Sequence, residues 1–191
     1  MSERIVNVHP KQYNGKNYRS SLEAQTAQTL DEMGIPYSYE ERKIELLQGF
    51  RTPFQKEKVR SITYTPDFII GPIMLECKGF ETPEWKIKKK LIFKYLQENE
   101  PGTVFYQIHD AKRQLLEALD NHWAYLGYAI EATPVLKGKK EPKSPRMFDS
   151  IAQAMYELNL QGKPKGIIAS ALTGKRNNAL GYHWKLKKLR L

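Results

Sequence analysis

The sequence has 191 residues, of which 40% are hydrophobic and 27% charged, a composition typical of a globular protein with one main domain and room for a small second one. Its single cysteine, Cys77, excludes internal disulfides and cysteine-based zinc fingers and indicates a reducing compartment. No apolar run approaches the roughly 18 residues of a membrane helix, and the first residues lack the apolar core of a secretion signal, so we expect a cytoplasmic protein that does not contact membranes.

The net charge of +10 is confined to one end of the chain. Residues 134–191 contain 13 Lys+Arg and 3 Asp+Glu, whereas residues 1–133 contain 18 of each. Like charges on one small module repel each other, so a basic segment of this kind is typical of a surface that meets a polyanion. A solvated basic tail is the alternative.

The predicted elements of the first 132 residues mix helices and strands. After an irregular arm over residues 1–17, Ser20 and Glu23 form a capping-box pattern at the start of a helix that ends before Pro36. The later patterns predict strands within 35–47, 59–70 and 73–78, a helix at about 83–98, a strand at 103–108 and a helix at 111–120. The order helix, three strands, helix, strand indicates an α/β fold.

Two neighbouring predicted strands bring carboxylates together. Asp67 precedes the turn at Gly71-Pro72, while Glu76 and Lys78 follow it two residues apart, so these two side chains share one face of their strand. Pairing of the strands through the turn places Asp67 near Glu76. Two adjacent carboxylates suit Mg²⁺, which takes one or two of them, keeps several waters and binds substrate phosphate.

This constellation favours phosphodiester hydrolysis. A bound Mg²⁺ polarises the phosphate and lowers the pKa of a coordinated water. Lys78 would position or activate that water, or offset the charge that develops during the reaction. The alternative is an edge strand on which Glu76 and Lys78 simply face water.

The strings Tyr64-Thr65-Pro66-Asp67-Phe68 and Glu76-Cys77-Lys78-Gly79-Phe80 stand with eight residues between Asp67 and Glu76. In this context residues 18–108 resemble the PD-(D/E)xK nuclease superfamily, in particular its phage and transposon-type members. The resemblance implies a restriction-endonuclease-like core and a metal-dependent DNA endonuclease of a bacterial or phage-infected cell. It implies Asp67, Glu76 and the backbone carbonyl of Cys77 as ligands of Mg²⁺, with Mn²⁺ as a substitute, and Lys78 as a catalytic residue.

Members of this superfamily often carry a further acidic residue on the helix before the sheet. Glu23 is the carboxylate in the first turns of that helix, so the resemblance implies it as a catalytic residue and metal ligand. The capping box with Ser20 is the competing use of the same side chain.

The helix at about 83–98 carries several lysines. An apolar arc that includes Ile87 and Leu91 runs along one side, and Lys88 falls within it. Lys88 is therefore a candidate for reaching the active site. The alternative is that its side chain extends past the helix end into solvent. Three lysines on the opposite side are candidates for DNA-phosphate contacts or for a solvated surface: Lys86, Lys89 and Lys90.

Thr133–Pro145 contains three prolines and four lysines, which predicts a linker over 133–146 between a nuclease core at 1–132 and a second domain at 147–191. Helices at 148–158 and 165–172 with a tight turn match the helix-turn-helix plan. The strings Phe148-Asp149-Ser150-Ile151 and Gly181-Tyr182-His183-Trp184 resemble the NUMOD-type repeat of intron-encoded homing endonucleases. This second resemblance implies a small helical domain that binds double-stranded DNA through Lys163, Lys165, Lys175, Arg176, His183 and Lys185.

Together these patterns predict a homing-type endonuclease whose C-terminal module selects the target. Three alternatives stay open: a structure-specific resolvase or transposase-like nuclease, an inactive DNA-binding protein with a nuclease fold, and an accessory C-terminal domain for protein contacts. Because each chain has one active site, double-strand cleavage calls for a homodimer.

Overall fold

The computed structural model describes residues 10–54, 56–135 and 144–189. These residues form a mixed α/β fold. The helices are α1 (Ser21–Glu32), α2 (Pro83–Asn99), α3 (Arg113–Asp120), α4 (Ile151–Glu157) and α5 (Lys165–Leu172). The strands are β1 (Lys11–Tyr13), β2 (Lys16–Tyr18), β3 (Ser38–Tyr39), β4 (Ile44–Leu47), β5 (Ile62–Tyr64), β6 (Phe68–Ile70), β7 (Ile73–Cys77), β8 (Val104–Ile108), β9 (Tyr128–Pro134), β10 (Arg146–Phe148) and β11 (Tyr182–Lys188).

The chain folds into two compact units, one from the described parts of residues 1–36 and 110–191 and the other from residues 37–109. In the unit of residues 37–109, four strands pair in the order β3-β6-β7-β8, and β4 pairs separately with β5. Strands β6 and β7 are antiparallel, and β7 and β8 are parallel. Helix α2 is the long connection that a parallel pair requires, and its Trp85, Ile92 and Leu96 pack in one core cluster with Tyr64 and Met74.

Strand β7 lies in the interior of this sheet. It pairs with β6 on one side and β8 on the other, and all five of its residues are buried. A strand covered in this way reads as a continuous apolar run, as Ile73, Met74 and Leu75 do. The alternative of a water-facing edge strand is therefore wrong for Glu76, which is 6% exposed.

The single strand predicted over 59–70 is two strands, β5 and β6, which belong to different sheets. Thr65, Pro66 and Asp67 lie between them. Proline has no backbone N–H to donate to a strand ladder, so Pro66 ends the first strand. Asp67 accordingly precedes β6 rather than lying inside a strand.

The other unit begins with an ordered hairpin, where the sequence predicted an irregular arm. Strands β1 and β2 pair antiparallel around Asn14 and Gly15, both of which have positive φ. Asn-Gly is the preferred two-residue sequence for this kind of turn, so the signal was present in the sequence. The hairpin packs against α1.

The C-terminal part of this unit is a three-stranded antiparallel sheet with helices α3, α4 and α5. Strand β9 is its central strand, with β10 and β11 on either side. The boundary predicted at residue 132 thus falls inside β9, and the predicted domain at 147–191 contains two strands in addition to its helices. Residues 136–143, most of the predicted linker, lie outside the described residues.

Asp120, the last residue of α3, connects three helices of this unit. Its buried carboxylate accepts hydrogen bonds through Oδ1 from the backbone N of Ile151, at 2.6 Å, and from Nε1 of Trp123, at 3.2 Å. Its Oδ2 lies 3.9 Å from Nζ of Lys165. One carboxylate therefore joins the end of α3 to the starts of α4 and α5.

Candidate active site

Asp67 and Glu76 face each other across the β6–β7 hairpin. Phe68, the first residue of β6, pairs with Leu75 of β7. Asp67, just before β6, therefore lies opposite Glu76, and the two side chains project from the same face. The backbone N of Cys77 donates a hydrogen bond to Oδ2 of Asp67 at 2.7 Å. This bond fixes the Asp67 carboxylate beside the end of β7.

The Glu76 carboxylate has a partner on each oxygen. The hydroxyl of Tyr64 donates to Oε2 at 2.8 Å, and Nζ of Lys78 lies 3.8 Å from Oε1. Glu76 and Asp67 are 6% and 8% exposed, respectively. Burying charged carboxylates is costly unless hydrogen bonds and opposite charges compensate, so these contacts explain how two acids are accommodated together.

Tyr64 is buried next to these acids. Burial, followed by the negative charge of Glu76 and the hydrogen bond to it, raises the pKa of Tyr64 far above its ordinary value. The phenol therefore keeps its proton and acts as a donor to Glu76 over the whole working range of pH.

Lys78 follows β7 and lies between Glu76 and an aromatic ring. Its backbone N donates to the carbonyl of Ile108 at 2.9 Å, which extends the β7–β8 pairing. Its Nζ lies 4.6 Å from the ring centroid of Trp85. A cation at this distance over an indole face is attracted to it, so the ring restricts where the ammonium group can go.

Trp85 is itself held in place on α2. Its Nε1 donates to Oε1 of Gln107 on β8 at 2.8 Å. Lys89 also lies 3.3 Å from Oε1 of Gln107 and forms an ion pair with Glu81. The first turns of α2 are thus attached to β8 beside Lys78. Lys89 was predicted to contact DNA phosphate, but in the structure its ammonium group contacts Glu81 and Gln107.

A cavity of about 420 Å³ opens beside Lys78. Lys78 and Lys88 both line it, together with apolar side chains that include Ile62 and Leu91. The structure thus brings Lys88 to the cavity that also contains Lys78. Ile87 is 63% exposed at the same cavity, which differs from the apolar arc predicted for α2.

Glu23 lies on α1, in the unit formed by residues 1–36 and 110–191, and it completes the capping box. Ser20 Oγ accepts from the backbone N of Glu23 at 3.2 Å and donates to Glu23 Oε1 at 2.7 Å. The backbone N of Arg19 donates to Oε2 at 3.0 Å. Glu23 is therefore part of the helix cap, and its role as a metal ligand stays a prediction.

Within residues 10–54, 56–135 and 144–189, no three His, Cys, Asp or Glu side chains form a complete cluster for a metal ion. Mg²⁺ needs no such cluster, because it commonly binds one or two carboxylates together with waters and substrate phosphates. The oxygen donors of Asp67 and Glu76, buried on one sheet face, fit that requirement.

The basic residues predicted to bind DNA differ in their surroundings. Lys165 lies near Asp120, and Nδ1 of His183 is 2.7 Å from the carbonyl of Asn177. Lys165 and His183 are nevertheless exposed, as are Lys86, Lys90, Lys163, Lys175, Arg176 and Lys185. Exposure leaves these residues accessible to a polyanion.

Sequence reasoning did not single out Tyr64 or Trp85 as part of the site. Tyr64 belongs to the string that carries the superfamily resemblance, so a signal was present. Trp85 belongs to the apolar arc predicted for the helix at about 83–98, and it is buried. Its contact with Lys78 depends on where α2 packs, which helical periodicity does not specify.

A protein-family model described as phage endonuclease I matches residues 6–114, more than half of the chain. The chain belongs to the phage endonuclease I family. It is therefore a phage-type nuclease that acts on DNA. No curated protein and no solved structure matches it significantly. Among the described residues, no helix of this endonuclease is long and apolar enough to cross a membrane.

The matched stretch contains Asp67, Glu76 and Lys78 and ends just inside α3. Helices α4 and α5 and the sheet β10-β9-β11 follow the match. Membership of the family thus accounts for the nuclease part of this endonuclease and leaves the C-terminal part to be explained by its own residues.

Proposed function

We propose that this endonuclease hydrolyses DNA phosphodiesters with Mg²⁺ held by Asp67 and Glu76 and with Lys78 beside the reacting phosphate. The strongest support is the pair of buried carboxylates with the Lys78 ammonium 3.8 Å from Glu76. When bound, the metal would offset phosphate charge and supply a water of lowered pKa. Mn²⁺ is a candidate substitute.

The protein's own groups would keep this site in order. The backbone N of Cys77 holds Asp67, and the Tyr64 hydroxyl orients Glu76. The Lys78 ammonium can donate hydrogen bonds to the attacking water or to a phosphate oxygen, with the Trp85 ring limiting its freedom. Assistance by Lys88, Glu23 and the Cys77 carbonyl is part of the proposal.

We further propose that the core belongs to the PD-(D/E)xK superfamily, with a restriction-endonuclease-like topology, and that α4 and α5 form a helix-turn-helix that binds double-stranded DNA. Support for the second statement is the order of the two helices, separated by a short turn with positive φ at Asn159 and Gly162. Targeting through this module is the basis for proposing a homing-type enzyme. Two protomers would then make the two cuts of a double-strand break.

The catalytic proposal is tested with isosteric variants. Asp67→Asn keeps an acceptor for the Cys77 N–H, and Glu76→Gln keeps one for Tyr64, so both variants should fold while losing a charge. We expect each to lower the rate of plasmid nicking in Mg²⁺ on the order of 10²-fold or more. EDTA should abolish nicking by the wild type.

Glu57→Gln, which removes an exposed carboxylate, is the matched control and should cut at the wild-type rate. Wild-type activity in Asp67→Asn, or undiminished cutting in EDTA, would contradict the proposed site. An inactive wild type under all metal conditions would favour the alternative of a DNA-binding protein without turnover.

The same assay separates targeted from structure-specific cutting. A homing-type enzyme should cut linear duplexes at a defined sequence, whereas a structure-specific nuclease should prefer a four-way junction to a linear duplex of the same sequence. Comparison of these two substrates at equal concentration distinguishes the two readings of the proposed function.

A further inference from the structure

A narrow cleft of about 150 Å³ lies between α3 and α5. The side of α5 that lines it carries small residues at helical spacing, Gly166, Ala169 and Ser170. A Cβ atom placed on Gly166 would meet nothing within 4 Å, so the space beside this part of α5 is open. The absence of a Cβ atom on Gly166 therefore leaves the first turn of α5 open to close approach by a ligand.

Three cations line the same cleft: Lys112 and Arg113 at the start of α3, and Lys175 after α5. All three are exposed, and no Asp or Glu lines the cleft within the described residues. The nearby carboxylate of Asp110 accepts hydrogen bonds from the backbone N of Lys112 and Arg113, at 2.9 and 2.6 Å, and the first of these is the main cause of its lowered pKa. Asp110 thus caps the start of α3.

The cleft also has a defined relation to the proposed DNA-binding helix. A recognition helix in the major groove is flanked by backbone phosphates, which basic side chains on adjacent elements contact to fix its position. The cations from α3 lie along one flank of α5. A phosphate needs close approach and positive charge, and the small residues of α5 and the three cations provide them.

We propose that this α3–α5 cleft binds a backbone phosphate of the DNA that α5 contacts, with Lys112, Arg113 and Lys175 as its cations. The inference rests on the proposed DNA-binding function of the C-terminal module. It extends the DNA-binding surface onto α3, whose first residues close the stretch that matches the family. This phosphate clamp would hold one phosphate between residues at the end of the family match and residues of the C-terminal module.

The test measures binding of the full chain to a fluorescent 40-base-pair duplex at several salt concentrations, without divalent metal so that no cutting occurs. The variant Lys112→Gln/Arg113→Gln should weaken binding on the order of tenfold at low salt. It should also reduce the slope of log affinity against log salt by about one, the change expected for one lost phosphate contact.

Two further variants make the test specific. Lys112→Arg/Arg113→Lys keeps both charges and should bind nearly as the wild type does. Gly166→Glu removes no proposed contact but places a carboxylate at the open side of α5, and it should also weaken binding. Lys94→Gln removes one positive charge from α2, where Glu98 pairs with it, and should leave affinity unchanged.

The outcomes separate this inference from the function on which it rests. If Lys163→Gln/Arg176→Gln leaves duplex binding unchanged, the C-terminal module does not bind DNA and the proposed function fails there. Suppose instead that Lys163→Gln/Arg176→Gln weakens binding. If Lys112→Gln/Arg113→Gln then leaves binding unchanged, or weakens it without changing the salt slope, DNA binding by the C-terminal module is supported and the phosphate clamp is overturned. Thermal unfolding of each variant checks that the comparison is between folded proteins.

Discussion

Tyr64 shows how one residue links folding to the chemistry of the site. Its ring lies in the core cluster of residues 37–109, and its hydroxyl donates to the Glu76 carboxylate. The same group that fills the core therefore also orients a proposed metal ligand. Because the phenol is buried beside negative charge, its pKa is raised.

Replacing Tyr64 by Phe should make the effect of this pKa measurable. The folded pKa lies above the unfolded value of about 10, so at higher pH the unfolded chain releases a proton that the folded chain keeps. The free energy of unfolding of the wild type should accordingly fall as pH rises above about 10. That of the Tyr64→Phe variant should fall less over the same range. Urea unfolding at pH 8, 10 and 11 tests this.

A second consequence of Tyr64→Phe concerns activity. Loss of the donor leaves Glu76 less well oriented, and we expect a nicking rate lower by roughly tenfold, the equivalent of about one hydrogen bond.

The stability experiment has its own contradicting outcome. If the stability of the wild type and of Tyr64→Phe depended on pH in the same way, the Tyr64 hydroxyl would not stay protonated as its environment requires.

At the scale of elements, α2 determines how the site is enclosed. Trp85 near its start packs with Tyr64, at 6.0 Å between ring centroids, and places its indole face against Lys78. The bond from Nε1 to Gln107 fixes this end of the helix to β8. The position of α2 therefore determines both the cavity wall and the position of the lysine.

Trp85→Leu should lower the nicking rate about tenfold without changing the dissociation constant for DNA. The physical reason is the loss of a cation–π attraction of roughly 0.5–2 kcal/mol that holds the Lys78 ammonium. Trp85→Phe keeps an aromatic face and should retain most of the rate. Single-turnover cutting and separate binding measurements provide the two readouts, and equal rates in the Leu and Phe variants would contradict this role of the ring.

Two helices were predicted almost to the residue, whereas the helix predicted at 148–158 begins three residues before α4. The predicted helix at 165–172 coincides with α5, and that at 83–98 differs from α2 by one residue. Capping residues account for this accuracy, since Thr82 and Pro83 mark the start of α2 locally. The hairpin β1–β2 was missed because its strands have only three residues each, too few for a periodic pattern.

At the scale of the whole molecule, β9 decides where the chain can be divided. Ile130 and Ala132 are fully buried, and β9 pairs with β10, which begins at the last residue of the predicted linker, and with β11, which follows it. The hydroxyl of Tyr128 on the same strand donates to the carbonyl of Gly34, 94 residues away. Strand β9 thus joins distant parts of the chain within one compact unit.

A fragment of residues 1–132 should therefore fail to fold as an independent nuclease. Its part of β9 would lose both strand partners, leaving unpaired backbone groups and apolar side chains that favour aggregation. Size-exclusion chromatography and circular dichroism of the fragment provide the test. A monomeric, cooperatively unfolding fragment with wild-type nicking would show that the boundary predicted from the sequence is the correct one.

The sequence by itself predicted a nuclease that acts on DNA and the order of most elements from α1 to α3. Asp67, Glu76 and Lys78 could be selected because their spacing around Gly71-Pro72 and along one strand is a local property of the chain. The same holds for the basic excess after residue 133 and for the start of α2.

Only the tertiary structure decided which side chains support those residues and which strands belong together. The contact of Tyr64 with Glu76 spans 12 residues, and that of Trp85 with Gln107 spans 22. Hydrophobic periodicity shows that a side chain is buried, but it does not show which atoms it meets there. The role of β9, the engagement of Lys89 and the cleft beside α5 all depend on packing between segments that are distant in the chain.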